Sequence, residues 1–173
     1  MLIKIAGVLI IIISSSYIGF LIAGFYRDRP KQLRNLQAAL HMLETEIIYF
    51  STPLPDAMRK ISCKCDPRVS DVFKTVAEML DKRQGYTAGE CWEMAINSFY
   101  QNSSININDK EILISFAKYL GSTDKDNQLK NLKLTRELLH KQEEEAEEVR
   151  NRNEKIWRYI GVLTGVMIVL LIF

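Results

Sequence analysis

Leu33, Leu36, Leu40, Leu43, Ile47 and Phe50 recur at intervals of three and four, and so form one apolar stripe along an α-helix. Gln32, Arg34, Asn35, His41, Glu44 and Thr45 fall on the opposite side, which predicts a helix standing in water and buried on its stripe by partner helices. The period continues downstream. Thr52 as cap and Pro53 at the first helical position predict a short second helix to about Ser62, with Leu54, Ala57, Met58 and Ile61 inward. Asp66 and Pro67 repeat that signal for a third helix, which buries Val69, Val72, Phe73, Val76, Met79 and Leu80 and stops at Gly85. Thr87 and Glu90 stand at capping-box spacing and open a fourth helix, with Cys91, Trp92, Ala95, Ile96 and Phe99 inside. Residues 101–108 read as a loop, and Asn108 or Asp109 caps a fifth helix that turns Ile112, Leu113, Phe116 and Leu120 inward and ends at Gly121. Thr123 and Asp124 start a last helix, free of Gly and Pro before Gly161, whose buried side is Leu129, Leu132, Leu139, Ala146 and Val149. β-branched alternation contributes little, so the fold class is all-α.

The two ends have a different pattern. Ile5 to Tyr26 contains no charged residue and twelve Ile, Leu, Val or Phe, which predicts a membrane-spanning helix over residues 1–26. The apolar run is too long for a cleaved signal, and no A-x-A-like site follows it. Trp157 to Phe173 is apolar except for Arg158, which can return its guanidinium to the interface, and extends about 25 Å as a helix. The expected organisation is therefore a span at 1–26, a domain at 27–155 and a second span at 156–173. Arg27, Arg29, Lys31 and Arg34 follow the first span, and Arg150, Arg152, Lys155 and Arg158 flank the second. The positive-inside rule then puts the domain in the cytosol and both termini outside the cell membrane. Pro30 predicts a kink or restart below the first span. Ser15, Gly19 and Ala23, and Gly161 with Gly165, put small residues four apart, a spacing that lets helices pack closely in lipid.

Charge and chemistry narrow the function. All 21 acidic residues and all basic ones except Lys4 and Arg158 lie between Arg27 and Lys155, leaving the domain formally neutral and without the basic patch that nucleic acid requires. No glycine pair precedes a Lys as a P-loop needs, so ATP hydrolysis is not expected. His41 and His140 lack ligand-like neighbours, and Cys63-Lys64-Cys65 does not match zinc-ribbon spacing, so neither metal nor other cofactor is expected. Cys91 beside Trp92 reads as a small buried hydrophobe, with a membrane-tethered Cys-dependent enzyme as the rival reading. Three cysteines in a loop-poor chain point to a reducing compartment. Glu147 precedes Arg150 at helical pairing distance, a pattern of solvated faces.

Arg29-Pro30, Leu33-Arg34, Leu36, Ala39-Leu40, Leu43-Glu44, Glu46-Ile47, Tyr49, Thr52-Pro53-Leu54 and Ala57 form a dense block. With Leu120-Gly121, Asp124, Gln128, Leu138, Glu145-Ala146, Asn153-Glu154-Lys155, Gly161, Leu163 and Gly165, the chain resembles the stage III sporulation protein AB family of endospore-forming bacteria. That resemblance implies an antiparallel bundle of about six helices, like the cytosolic domain of type II secretion system F platform proteins. It further implies a non-catalytic part of a channel complex in the mother-cell membrane around the forespore. Its partners would be the ATPase stage III sporulation protein AA and neighbouring membrane proteins. Secretion platform proteins carry two such domains, so self-association would supply a second here. The expected partner-binding surface is Arg34, His41, Glu44, Glu46, Arg59 and Lys60; an adaptor bundle outside any channel is the alternative function.

Overall fold

The computed structural model describes residues 2–82, 85–121 and 125–172. All regular structure among them is helical: α1 (Leu2–Ile48), α2 (Leu54–Ser62), α3 (Pro67–Asp81), α4 (Ala88–Gln101), α5 (Ile107–Ala117) and α6 (Lys125–Ile172). The chain forms two compact units, residues 31–143 and residues 1–30 together with 144–173.

The first unit is a bundle in which α2 packs on α3, α3 on α4 and α4 on α5. Its centre is Trp92, whose indole meets Phe73 at 5.6 Å and Phe116 at 5.4 Å, edge to face on both sides. The buried Trp92 Nε1 donates to the Leu113 carbonyl oxygen at 2.8 Å, so the ring brings no unpaired polar atom inside. Leu33, Leu36, Leu40 and Leu43 of α1 are fully buried, as their stripe predicts, with Leu132 and Leu139 of α6.

The caps decide where each helix begins. Asp66 accepts from the Arg68 N–H and Pro67 opens α3, as expected. Thr87 and Glu90 complete a reciprocal capping box on α4. Two other starts differ from the sequence reading. Thr52 does not cap α2: Pro53 occupies the cap position, Leu54 begins the helix, and the Thr52 hydroxyl donates to Glu46 at 2.7 Å. The fifth helix is capped by Asn106, which exchanges hydrogen bonds with Asp109 two residues earlier than expected. This register buries Ile105 and leaves Ile107 half-exposed. The fifth helix also stops at Ala117, and Leu120 is buried in the turn before Gly121, whose φ of +77° suits glycine.

Phe50 leaves the stripe to which its spacing assigned it. The helix ends at Ile48, Ser51 takes a left-handed φ of +50°, and Phe50 is left 68% exposed beside Tyr49 at 78%. α1 continues as helix through Pro30, so the chain does not restart there.

In the second unit, the apolar side chains Ile10, Ile13 and Tyr17 of α1 and Ile156, Tyr159, Ile160, Leu163 and Met167 of α6 are exposed. Among the described residues no helix is long and apolar enough to cross a membrane. Ser15 is half-buried; Gly19, Ala23, Lys155, Arg158, Gly161 and Gly165 are helical, with their side-chain surroundings outside what is described, and Thr123 and Asp124, expected as a helix start, lie outside the described residues. Arg27, Lys31 and Arg152 are exposed, Arg29 half-buried, and Arg150 pairs with Glu147 at 3.2 Å.

Candidate functional site

Within the bundle, α1 and α6 meet along a polar seam. Glu44 is 7% exposed and accepts from Arg136 Nη1 at 2.8 Å, with His41 Nδ1 3.1 Å from the same guanidinium nitrogen. Farther along, Glu143 is 8% exposed, pairs with Arg34 at 2.8 Å and accepts from Gln37 at 2.8 Å. Each carboxylate has a histidine three residues before it on its own helix, His41 at 3.6 Å from Glu44 and His140 at 3.7 Å from Glu143. The seam is thus reciprocal: each helix offers an Arg and a Glu to the other. Gln32 is also inside, at 5% exposure, and its side-chain oxygen accepts from the Ser104 N–H at 2.8 Å. Gln32 and Glu44 therefore do not lie on the water-facing side where the periodicity put them. A helix packed on more than one side buries a wider arc than its apolar stripe, and polar residues in that arc need matched partners.

The other expected surface residues gather around α2. Glu46, whose side chain is 13% exposed, accepts from Lys60 Nζ at 2.8 Å and from the Thr52 hydroxyl. Those two hydrogen bonds, Lys60 first, lower the Glu46 pKa below its ordinary value. Arg59 bonds to Asp56 at 2.8 Å and to Asp81 of α3, and the Asp81 carboxylate is the chief reason its pKa is raised. Lys60 and Arg59 thus tie α2 to α1 and α3, so an internal structural role accounts for both.

Between these helices the surface is hollowed. A depression of about 170 Å³ is lined by His41, Met42, Thr45, Glu46, Phe50, Lys60, Ile61 and Lys64. A second, of about 520 Å³, shares Lys60 and Lys64 and adds Thr52, Asp56, Arg59 and Cys63. The structure therefore brings His41, Glu46, Arg59 and Lys60 to one face, while Arg34 and Glu44 belong to the seam. Phe50 and Lys64 also line these depressions and were not anticipated there; the available signal for Phe50 was its place directly before the Ser51-Thr52-Pro53 turn.

Chemistry is poorly served elsewhere. Cys91 is fully buried and burial raises its thiol pKa, the opposite of what a thiolate nucleophile needs. Among the described residues no three His, Cys, Asp or Glu side chains gather as metal ligands would.

The profile of the stage III sporulation protein AB family matches residues 4–173. The chain belongs to the stage III sporulation protein AB family. Stage III sporulation protein AB of Bacillus subtilis (strain 168) is 33% identical over 171 residues, which covers 99% of each chain. A solved structure of stage III sporulation protein AB superposes with a TM-score of 0.68 at 34% identity, covering 72% of this chain and 98% of the other. Membership in the stage III sporulation protein AB family makes this a sporulation protein.

Proposed function

We propose that the protein is a non-enzymatic subunit of a membrane platform in a sporulation channel complex. In this reading the helical bundle stands in the mother-cell cytosol and engages the ATPase stage III sporulation protein AA and neighbouring membrane proteins. The arms formed by residues 1–30 and 144–173 hold it in the membrane around the forespore.

One observation carries the reading. Ile10, Ile13 and Tyr17 lie on one face of α1, and Ile156, Ile160, Leu163 and Met167 on one face of α6, all with 44% to 65% of their surface open. Water-facing helices do not present continuous large apolar faces; a hydrocarbon environment removes that cost. Sporulation-family membership adds the process.

Carbonate extraction of membranes from sporulating cells tests the anchoring, and deletion of the gene tests the process. The protein should stay in the pellet, and the deletion strain should arrest after engulfment. Release of the protein by carbonate, or normal spore yield in the deletion strain, overturns the proposal.

A further inference from the structure

Both histidines of the chain, His41 and His140, border the buried carboxylates of the seam, but the two ends of the seam are built differently. At the Glu143 end, Arg34 donates to Oε1 from both Nε and Nη2 at 2.8 Å, and Gln37 holds Oε2 at 2.8 Å. At the Glu44 end, one nitrogen serves two acceptors. Arg136 Nη1 is 2.8 Å from Glu44 Oε2 and 3.1 Å from His41 Nδ1, while Arg136 Nε is buried with no hydrogen-bond partner among the described residues.

An arginine nitrogen only donates, so His41 Nδ1 accepts in this contact, which assigns the ring as neutral with its proton on Nε2. A proton added to Nδ1 turns the same contact into donor against donor and cation against cation at 3.1 Å. The ring nitrogen is also 3.6 Å from Glu44 Oε2, within about 1 Å of hydrogen-bonding distance. The other charged groups around His41 leave that exchange open. Along the hollow that His41 lines, Glu46 of α1 is held by Lys60 at 2.8 Å and by the Thr52 hydroxyl, and α2 contributes Lys60 and Lys64. Glu44 is thus the carboxylate that can receive a His41 cation. With 62% of its side chain exposed, His41 takes its proton directly from water.

We infer that His41 is a protonation switch on the seam. Neutral, it shares Arg136 with Glu44, and the pair joins α1 to α6; protonated, it takes Glu44 within α1 and releases the guanidinium of α6. A contact between helices is exchanged for one inside a helix, so acidification unfastens this end while Arg34, Gln37 and Glu143 keep the other closed. Histidine side chains change charge between about pH 5 and 8, above the range in which carboxylates ordinarily titrate.

A double-mutant cycle between Arg136→Met and Glu44→Gln tests this at about pH 7.5 and about pH 5.5. The assay is urea unfolding of the detergent-solubilised full chain, with Trp92 as the reporter after Trp157→Phe. At the higher pH the two sites should be coupled about five-fold or more in the unfolding equilibrium constant, and at the lower pH less than about two-fold. With His41→Gln added, whose amide accepts a hydrogen bond but takes no proton, the coupling should be the same at both. Coupling that does not change with pH while His41 is present overturns the inference. So does a loss at low pH that persists with His41→Gln, which would assign the titration to Glu44 itself. If Arg136→Met does not fold, Arg136→Gln takes its place in the cycle with the same expected and overturning results.

Discussion

Arg136→Met isolates one end of the seam between α1 and α6. The substitution keeps an unbranched apolar stem and removes the guanidinium, leaving Glu44 with 9% of its side chain exposed and only His41 at 3.6 Å. Stranding one member of a fully buried ion pair costs roughly 3–5 kcal/mol. Arg136 is 32% exposed, so water already screens its side of the contact and about 2 kcal/mol is the expected loss. With a urea slope of about 2 kcal/mol per molar, the unfolding midpoint should fall by about 1 M. The assay is urea unfolding of the detergent-solubilised full chain in a Trp157→Phe background, where buried Trp92 alone reports. Glu44→Gln should cost less, about 1 kcal/mol, because the amide still accepts a hydrogen bond. The double variant should fall short of the sum by at least about 1 kcal/mol. Strict additivity, or a midpoint shift below about 0.3 M for Arg136→Met, would refute the seam as a source of stability.

Three further outcomes follow from the same geometry. A Cβ on Gly89 would stand 2.4 Å from the Ala117 carbonyl oxygen, so Gly89→Ala must push the start of α4 off the end of α5; the expected loss is about 1–3 kcal/mol by urea unfolding, and an unchanged midpoint would contradict the contact. The depressed pKa of Glu46 stabilises the fold fully above its unfolded value near 4.5, and that contribution is lost as the pH falls through the folded value. Glu46→Gln should accordingly flatten the acid limb of melting temperature against pH below 4.5 and leave its slope at neutral pH unaltered. Iodoacetamide should label exposed Cys63 first and half-buried Cys65, whose thiol burial pushes up in pKa, more slowly; Cys91 should react only on unfolding, and labelling of Cys91 in the native protein, read by mass spectrometry, would count against its burial.

Periodicity, bounded by cap, proline and glycine signals, located the helices of the bundle, because each buries residues at three- and four-residue spacing against neighbours. Caps were legible where a single side chain could serve, as at Asp66 and Thr87. They were not legible where several polar residues competed: Asn106, Asn108 and Asp109 are equivalent in sequence, and only burial of Ile105 selects Asn106. The seam could not be read because its partners are 92 positions apart for Glu44 and Arg136 and 109 for Arg34 and Glu143. Spacing along one helix says nothing of a carboxylate's mate on another, so Glu44 was placed on the wet side. Phe50 was misassigned for a related reason, since a stripe counted by period does not show where the helix unwinds. His41, Glu46, Arg59 and Lys60 line adjoining depressions, and the contacts of Glu46, Arg59 and Lys60 across α1, α2 and α3 emerged only in three dimensions.

The reciprocity of the seam also has a mechanical side. Its two clamps point in opposite senses, Arg136 reaching from α6 to Glu44 of α1 and Arg34 reaching from α1 to Glu143 of α6. A slide of one helix along the other by a single turn, about 5.4 Å, would strip both buried carboxylates of their guanidinium partners at once. Neither could recover by following the other, because the displacement that carries Glu44 past Arg136 also carries Glu143 past Arg34. The two contacts together therefore favour a single registry of α1 against α6.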